Sequence, residues 1–254
     1  MDKSIITGNF SKSAISYDDH AAVQRKCAKK LIDLIREEKF SRILEIGCGT
    51  GIYTRFLRKT YKDAHITAID ISEDMVNVAR KKLEDENISY MVADGENIPQ
   101  EGKFDLITSN ASFQWFDDLA GAIEVFSKAL ADGGTLCFSM YGPETFREFK
   151  EVLSAHFGRR QWLSSSRFTS FQEMESLIEQ YFCCSDTTEE RLTSEFFSLW
   201  DFLRDIKHSG TRGEGLGCST LLGKYAIREM ERTYVEKFGS IVATHHVYFC
   251  KARI

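Results

Sequence analysis

Hydrophobic positions in the first half of the chain follow two alternating patterns, short uninterrupted runs and longer stretches with a helical period. The runs RILEI, HITAID, ISYMVAD, FDLITSN and GTLCFSMY are typical of strands buried on both faces of a sheet. Stretches such as 19–38, EDMVNVARKKLED and LAGAIEVFSKAL repeat apolar residues about every 3.6 positions. This alternation predicts βαβ units, and therefore an α/β fold with a mostly parallel sheet and helices on both faces.

The pattern changes after residue 141. Segments 143–180 and 195–238 have helical spacing with two polar interruptions, GRRQWLSSSRF and HSGTRGEGLG, and a strand is predicted near 181–193. IVATHHVYFCKARI predicts a final strand at 240–254. Because the chain has only two prolines and no low-complexity linker, we expect one domain, 1–254, with a helical insertion or lid over the carboxyl edge of the sheet.

Composition limits the classes of partner. Lys and Arg number 33 against 38 Asp and Glu, and the net charge of −5 disfavours nucleic acid. No apolar run reaches the roughly 20 residues of a membrane helix, and MDKSIITGNFSKS has no apolar signal core, so we expect a cytoplasmic protein without membrane contact. Seven cysteines without a C-x-x-C pair predict reduced thiols and no metal site. We expect a monomer.

Three glycines lie between the first predicted strand and a helix predicted for 52–60. Gly47, Gly49 and Gly51 allow the backbone to pass close to a ligand where side chains would block it, which favours a nucleotide-like group. The dinucleotide fingerprint G-x-G-x-x-G needs glycine at position 52, which is Ile, and no G-K-[ST] follows. A pyrophosphate-binding dehydrogenase and a P-loop therefore both fit poorly.

Acidic residues lie at or near the ends of the first three predicted strands. Glu45 precedes the glycines, where its charge would repel a pyrophosphate but suit a cation or an amino group. Asp70 ends the second strand, where a carboxylate can accept hydrogen bonds from both ribose hydroxyls. Asp94 follows the third strand at the same sheet edge. Taken singly, the glycines could form a tight turn, Asp70 could cap a helix and Met75 could be a core residue.

As a set, these features resemble the S-adenosylmethionine-dependent methyltransferases of the seven-stranded Rossmann-like class, over residues 40–142. The resemblance implies a seven-stranded sheet, S-adenosylmethionine as cofactor and S-adenosylhomocysteine as its product. It implies that the methionine part is held by Glu45, Gly47, Gly49 and Gly51, the ribose by Asp70, and the adenine by Met75, Asp94 and Gly95, with Ile71, Glu96 and Asn110 completing the contacts. Residues 40–142 would then be the cofactor-binding core and 143–238 the substrate side.

Four further segments narrow the resemblance. NFSKSAISYDDHAAVQRKCA, SNASFQWF, YGPETFREFK and LWDFLRDIKHSGTRG together are similar to the malonyl-acyl-carrier-protein O-methyltransferases. That family converts the free carboxylate of a malonyl thioester to a methyl ester, at the start of pimelate-chain synthesis for biotin. The resemblance implies malonyl-acyl-carrier protein, or malonyl-CoA, as the partner. It also implies that residues 1–38 cover the cofactor, with Tyr17, His20 and Gln24 beside the methionine part and Phe10 as an apolar lid.

Residues for the methyl acceptor are less strongly indicated. Gln114 and Trp115, after the fourth strand, are the catalytic candidates, although Trp115 could equally be a buried aromatic residue. A carboxylate calls for a cation, so Arg204 is our first choice for positioning it, with Arg147 in reserve. Either Arg could instead be a solvated charge on a helix face. Substrate or carrier contacts are further predicted for basic residues of the insertion, namely Arg159, Arg160, Arg167, Lys207, His208 and Arg212.

Two alternatives remain open from the sequence. One is a carboxyl methyltransferase for a free small acid, of the trans-aconitate type, because its cofactor half would carry the same motifs. The other is a non-catalytic protein that binds the cofactor and has lost the chemistry. Methyl transfer to a carrier-bound thioester would indicate the first function, transfer to a free acid the second, and cofactor binding without methyl transfer the third.

Overall fold

The fold is seen in a computed structural model that describes residues 2–98, 102–158, 163–209 and 223–254. Strands within these ranges form one seven-stranded sheet. The strands are β1 Arg42–Ile46, β2 His65–Asp70, β3 Ile88–Val92, β4 Phe104–Asn110, β5 Leu130–Tyr141, β6 Cys184–Phe196 and β7 Ile241–Arg253. Each apolar run singled out in the first half of the chain therefore forms a strand, although β3 ends at Val92, two residues before the end of ISYMVAD.

The sheet has the strand order β3-β2-β1-β4-β5-β7-β6. Strands β1 to β5 pair in parallel, whereas β7 lies antiparallel between β5 and β6. The predicted α/β class with a seven-stranded, mostly parallel sheet is confirmed. Because parallel strands are linked by crossovers, the ends of β1 to β4 meet at one carboxyl edge.

Helices cover both faces of this sheet. They are α1 Lys3–Ser13, α2 Tyr17–His20, α3 Ala22–Ile35, α4 Ile52–Thr60, α5 Glu73–Lys82, α6 Leu119–Ala129, α7 Arg147–Phe157, α8 Phe171–Tyr181, α9 Leu199–His208 and α10 Lys224–Phe238, with 3₁₀ turns at Phe113–Trp115 and Ser164–Arg167. Local signals set several boundaries: Ser72 accepts a hydrogen bond from the Met75 N–H at the start of α5, and Ser170 forms a capping box with Glu173 before α8. No helix among the described residues is long and apolar enough to cross a membrane.

Two hydrophobic clusters lie on opposite faces of the sheet. Ile43 belongs to the cluster packed under α3 and α4, and its neighbour Leu44 belongs to the cluster under α6 and α8. Successive strand side chains point to opposite faces, so an uninterrupted apolar run fills both clusters at once. A third cluster joins α7, α9 and α10 to the start of β7, which forms the core of the insertion.

The N-terminal helices lie over the carboxyl edge. The stretch 19–38, predicted as one helix, divides at Ala21, where α2 ends and α3 begins. Contacts from α1 reach α5 and α9: the hydroxyls of Ser11 and Ser72 are 2.9 Å apart, and Ser13 Oγ donates to the Lys207 carbonyl at 3.1 Å. Helix α1 is therefore held against both the first half of the chain and the insertion.

Candidate active site

A cavity lies at the carboxyl edge, where ligands bind in open α/β folds. Its floor consists of residues at or just after the ends of β1, β2, β3 and β4, and its roof is formed by α1 together with Tyr17. We call it the strand-end cavity. The floor includes Gly47, Gly49, Asp70, Ile71, Asp94, Gly95 and Asn110, and the roof includes Lys3, Ile6, Thr7 and Phe10. The structure thus brings together most of the residues predicted for the cofactor.

The glycine loop, residues 47–51, has a backbone conformation that favours glycine. Gly47, Gly49 and Gly51 all have positive φ angles, of 71°, 53° and 84°. A Cβ at position 47 would lie 1.8 Å from Ser112 Oγ, so no other residue fits there without displacing the loop after β4. Gly47 and Gly49 line the cavity, whereas Gly51 is the residue before α4 and shapes the turn instead.

Asp70 is fixed against this loop. Its Oδ2 accepts a hydrogen bond from the Gly49 N–H at 2.9 Å, and its Oδ1 accepts one from the Ser72 N–H at 2.8 Å. Burial raises the pKa of Asp70 above its usual value, and these two hydrogen bonds oppose the rise. Ser72, not Asp70, provides the side-chain cap of α5. Because a carboxylate offers about four acceptor positions, Asp70 retains acceptor capacity on the cavity wall.

Glu45 lies behind the loop rather than on the cavity wall. Glu45 is only 1% exposed, and the hydroxyl and N–H of Thr54 are close enough to lower its pKa, although neither makes a hydrogen bond of good geometry to the carboxyl oxygens among the described residues. Burial raises the pKa of Glu45 to about 8; hydrogen bonding from Thr54 opposes the rise, and the nearby Asp70 adds to it. A buried carboxyl group of this kind would be stabilised in its charged form by a cation bound at the glycine loop.

The opposite end of the cavity carries Asp94 and Gly95. The Lys3 ammonium lies 2.6 Å from Asp94 Oδ2 and also pairs with Glu96. A Cβ on Gly95 would lie 2.5 Å from Ile46 Cγ2, so the close approach here again requires glycine. Lys3 in the roof is thus joined to the floor by an ion pair.

Two predicted cofactor residues differ in how far they reach the strand-end cavity. Met75 lines it and is 1% exposed, so it serves the cavity and the core together. Glu96 does not line the cavity: one oxygen pairs with Lys3, and the other accepts a hydrogen bond from the Asp118 N–H at 2.6 Å. Glu96 therefore holds Lys3 of the roof and the residue that precedes α6.

An aromatic cluster joins the roof to the loop after β4. The Phe10 ring meets Tyr17 edge-on at 6.4 Å and Trp115 at 6.1 Å between ring centroids. Burial raises the pKa of Tyr17 well above its ordinary range, so its hydroxyl keeps its proton. Tyr17 and Phe10 line the strand-end cavity, as the lid hypothesis expects.

Asn110 and Gln114, after β4, have different surroundings. Asn110 lines the strand-end cavity, and its Nδ2 donates to the Gln24 carbonyl at 3.1 Å. Gln114 does not line this cavity: its Nε2 donates to the Ala111 carbonyl at 2.6 Å, and its Oε1 accepts from the Tyr141 N–H at 3.2 Å. The structure does not bring Gln114 to a ligand, because both ends of its amide are used to brace this loop.

A second cavity of about 350 Å³ lies between α3 and the insertion, and we call it the insertion cavity. His20 lines this cavity instead of the strand-end cavity, and its Nδ1 lies 2.8 Å from Asp205 Oδ1. The His20 ring also stacks on His208, with 5.0 Å between centroids. Three residues line both cavities and form the wall between them: Gln24, Trp115 and Tyr141.

Arg204, predicted to position the substrate carboxylate, lies away from both cavities. Its side chain is 64% exposed and pairs with Asp201 one turn earlier. Helix α9 buries Leu199, Phe202 and Ile206, so the 3.6-residue period places Arg204 on the outer face. That apolar spacing is visible in the sequence and would have indicated the orientation.

The other basic candidates are also distributed over the surface. Arg147 is 52% exposed and pairs with Glu144 and Glu148, and Lys207 is exposed. Arg167 is likewise exposed, whereas Arg159, Arg160 and Arg212 lie outside the described residues. Within the described ranges no arginine lines either cavity.

Tyr141 and Lys3 are among the residues of the strand-end cavity that were not singled out from the sequence. Tyr141 ends β5 beside β4, so its place at the carboxyl edge follows once the strand order is known. Lys3 has no comparable signal, because it reaches Asp94 only through the packing of α1. In the described part of the chain, no group of three His, Cys, Asp or Glu side chains could hold a metal ion.

Comparison with known proteins agrees with this architecture. A family profile described as a methyltransferase domain matches residues 43–134, from β1 into β5. The N-methyltransferase NodS of Bradyrhizobium japonicum, solved with S-adenosyl-L-homocysteine, superposes with a TM-score of 0.51. It is 18% identical, and the alignment covers 90% of this chain and 86% of NodS. At this identity the likeness concerns the fold alone.

Curated relatives match the whole chain. The malonyl-[acyl-carrier protein] O-methyltransferase of Acetivibrio thermocellus is 34% identical over 100% of this chain and 94% of its own length. Malonyl-[acyl-carrier protein] O-methyltransferase 1 of Ilyobacter polytropus is 33% identical over 98% of this chain and 94% of its own length. The similarity therefore extends through the N-terminal helices and the insertion as well as the sheet.

Proposed function

This chain belongs to the malonyl-[acyl-carrier protein] O-methyltransferase family, and we propose that it methylates the free carboxylate of a malonyl group carried on an acyl carrier protein. The methyl donor is S-adenosylmethionine, and the product is a malonyl methyl ester that starts pimeloyl-chain synthesis for biotin. Support comes from similarity over the full length, which includes the elements around the insertion cavity and not only the methyltransferase core.

The observation that carries the cofactor assignment is the acidic glycine loop. Asp70 keeps acceptor capacity beside Gly49, while Glu45 lies buried behind the same loop. These acids disfavour a pyrophosphate and suit a ligand with ribose hydroxyls and a positive charge. Gly47 and Gly49 would hold the methionine part, Asp70 the ribose, and Met75 with Asp94 the adenine.

When bound, S-adenosylmethionine supplies a methyl group whose bond to sulfur breaks as the carboxylate oxygen forms the ester bond, with the electron pair left on sulfur and no proton transferred. The chain's own contribution is therefore positioning and exclusion of water, which supplies up to roughly 7 to 11 kcal/mol in ideal cases. Helix α1 and Phe10 cover the strand-end cavity from solvent. Trp115 and Tyr141 separate it from the insertion cavity, where the malonyl thioester would lie.

The arrangement of the cavities also fits a carrier-bound acceptor. The insertion cavity extends from the shared wall toward His20, Ser164 and Thr145, which gives an extended thioester arm a polar route. Lys26 lines the same cavity and is exposed, so it offers a positive charge toward an acidic carrier. Malonyl-CoA presents the same malonyl thioester and is the smaller alternative substrate.

The test is a transfer assay with purified protein and S-adenosylmethionine. We expect a methyl ester on malonyl-acyl-carrier protein, detected by intact mass and removed by alkaline hydrolysis, with slower transfer to malonyl-CoA. Acetyl-acyl-carrier protein, which lacks the free carboxylate, is the matched control. Transfer only to free malonate or trans-aconitate would replace this function with small-acid methylation. Cofactor binding without transfer to any of these acids would identify a non-catalytic binding protein.

A further inference from the structure

The wall between the two cavities contains two buried hydrogen-bond donors without partners. Trp115 is 8% exposed and Tyr141 is 4% exposed. Neither the Trp115 indole N–H nor the Tyr141 hydroxyl has a hydrogen-bond partner among the described residues. Buried polar groups are nearly always paired, so two such donors on a wall that both cavities share indicate a ligand that accepts hydrogen bonds.

Titratable side chains line both sides of this wall: besides Tyr141, the insertion cavity has Asp19, His20, Lys26, Glu195, Asp205 and His245, and the strand-end cavity has Lys3, Tyr17, Asp70 and Asp94. On the insertion side, His20 is already engaged with Asp205, and Lys26 is exposed at the rim. His245 lines the same cavity, and burial lowers its pKa to about 4, so its ring is neutral near pH 7. Burial also raises the pKa of Tyr141 well above its usual range, which keeps its hydroxyl protonated and able to donate.

Neutral donors suit a carboxylate that must act as a nucleophile. The reaction joins a carboxylate to a sulfonium methyl donor and leaves an uncharged ester and an uncharged thioether, so the charge on the reacting groups decreases in the transition state. A bidentate Arg would stabilise the anion before reaction more than the transition state, and would therefore slow the transfer. An N–H and an O–H donor fix the same oxygen atoms with less stabilisation of the ground-state charge.

We propose that the indole N–H of Trp115 and the hydroxyl of Tyr141 bind the acceptor carboxylate. This assignment replaces Arg204 and rests on the proposed function, because it assumes that the acceptor carries a free carboxylate. It also gives the roof a second role, since the edge contacts of Trp115 with Phe10 and Phe168 hold the indole ring in the wall.

The chain contains a matched control residue. Tyr248 is fully buried, and its hydroxyl also lacks a hydrogen-bond partner in the described part of the chain, but it lines neither cavity. Tyr248→Phe therefore removes the same hydroxyl from an equally buried ring at another site. Any difference between Tyr141→Phe and Tyr248→Phe reports the position of the hydroxyl, not the loss of a buried polar atom.

The experiment compares binding of malonyl- and acetyl-acyl-carrier protein to the protein saturated with S-adenosylhomocysteine, so that no transfer occurs. We expect the wild type to prefer the malonyl form, and Tyr141→Phe to reduce this preference about 10- to 100-fold, the range for a lost hydrogen bond to a charged group. Trp115→Phe should reduce it similarly. Tyr248→Phe should retain the wild-type preference.

Two outcomes would overturn the proposal. One is a folded Tyr141→Phe and a folded Trp115→Phe variant that both keep the wild-type preference for the malonyl form. The other is an equal loss in Tyr141→Phe and Tyr248→Phe, which would show a general effect on packing. If the wild type transfers no methyl group to a malonyl carrier, the proposed function fails, and that result comes from a separate assay.

Discussion

Replacement of Glu45 by Gln should stabilise the ligand-free protein and weaken its cofactor binding. Glu45 is buried, and burial raises its pKa from the usual 4.5 to about 8, although hydrogen bonding from Thr54 opposes this rise. In the unfolded chain the same group titrates at 4.5. Between these two pH values the folded protein holds a proton that the unfolded chain releases, so stability is full below pH 4.5 and falls as the pH rises toward 8.

The magnitude follows from that pKa difference. At about 1.36 kcal/mol for each pH unit, a rise from 4.5 to about 8 corresponds to about 5 kcal/mol lost above pH 8. At pH 7 the loss is about 3 kcal/mol, because the pH has then risen through only the part of this range between 4.5 and 7. The glutamine amide would remain neutral throughout. We therefore expect Glu45→Gln to gain up to about 3 kcal/mol over the wild type at pH 7 and almost nothing at pH 4.

The assay is denaturant unfolding of both proteins, without ligand, at a series of pH values from 4 to 9. Glu148→Gln is the matched control, because Glu148 is also buried but accepts hydrogen bonds from the Thr244 N–H at 3.0 Å and the Thr244 hydroxyl at 2.5 Å. Burial alone would raise the pKa of Glu148, yet these bonds lower it, so Glu148→Gln should destabilise the protein at pH 7. Glu45→Gln should in addition bind S-adenosylmethionine more weakly.

A stability difference between wild type and Glu45→Gln that does not grow with pH would refute this reasoning about burial. Equal cofactor affinity in the two proteins would refute the link to a bound cation. Calorimetry in buffers of different ionisation enthalpy gives an independent check near pH 7. If a cation at the glycine loop favours the charged carboxylate, cofactor binding to the wild type should release a proton, and binding to Glu45→Gln should not.

Three other changes test the site. Asp70→Ala should weaken S-adenosylmethionine binding by about 1.5 to 3 kcal/mol in calorimetry, and unchanged affinity in a folded variant would remove Asp70 from the site. Deletion of residues 1–20 should leave the sheet folded by circular dichroism but retain the cofactor poorly, because the roof is lost; normal affinity would contradict the lid. Arg204→Ala should change kcat/KM less than about twofold, as expected for an exposed ion pair, and a tenfold loss would restore the sequence-based assignment.

The sheet and its acidic edge could be predicted because their signals are local. An uninterrupted apolar run identifies a strand buried on both faces, and parallel strands that follow one another end at one edge. Glu45, Asp70 and Asp94 each come at or near the end of such a run, so their common edge follows without knowledge of any long-range contact. The glycine loop needs only the three glycines and the elements on either side of it.

The roof and the shared wall depended on tertiary packing. Trp115 lies in a 3₁₀ turn and Tyr141 at the end of β5, and only their packing places both between the two cavities. Gln114, next to Trp115, is turned into the loop by hydrogen bonds to Ala111 and Tyr141. Sequence adjacency could not decide which of the two neighbours lines a cavity.

Fold class, strand ends and the acids of the glycine loop could therefore be read from the chain alone, because each depends on periodicity within one element. Long-range packing established that Glu45 is buried, that Lys3 reaches Asp94, and that Arg204 is solvated. The burial of a side chain and its hydrogen-bond partners depend on how elements that are distant in the sequence pack together. Residue type and spacing specify which groups are available, whereas packing of helices against the sheet determines which of them meet.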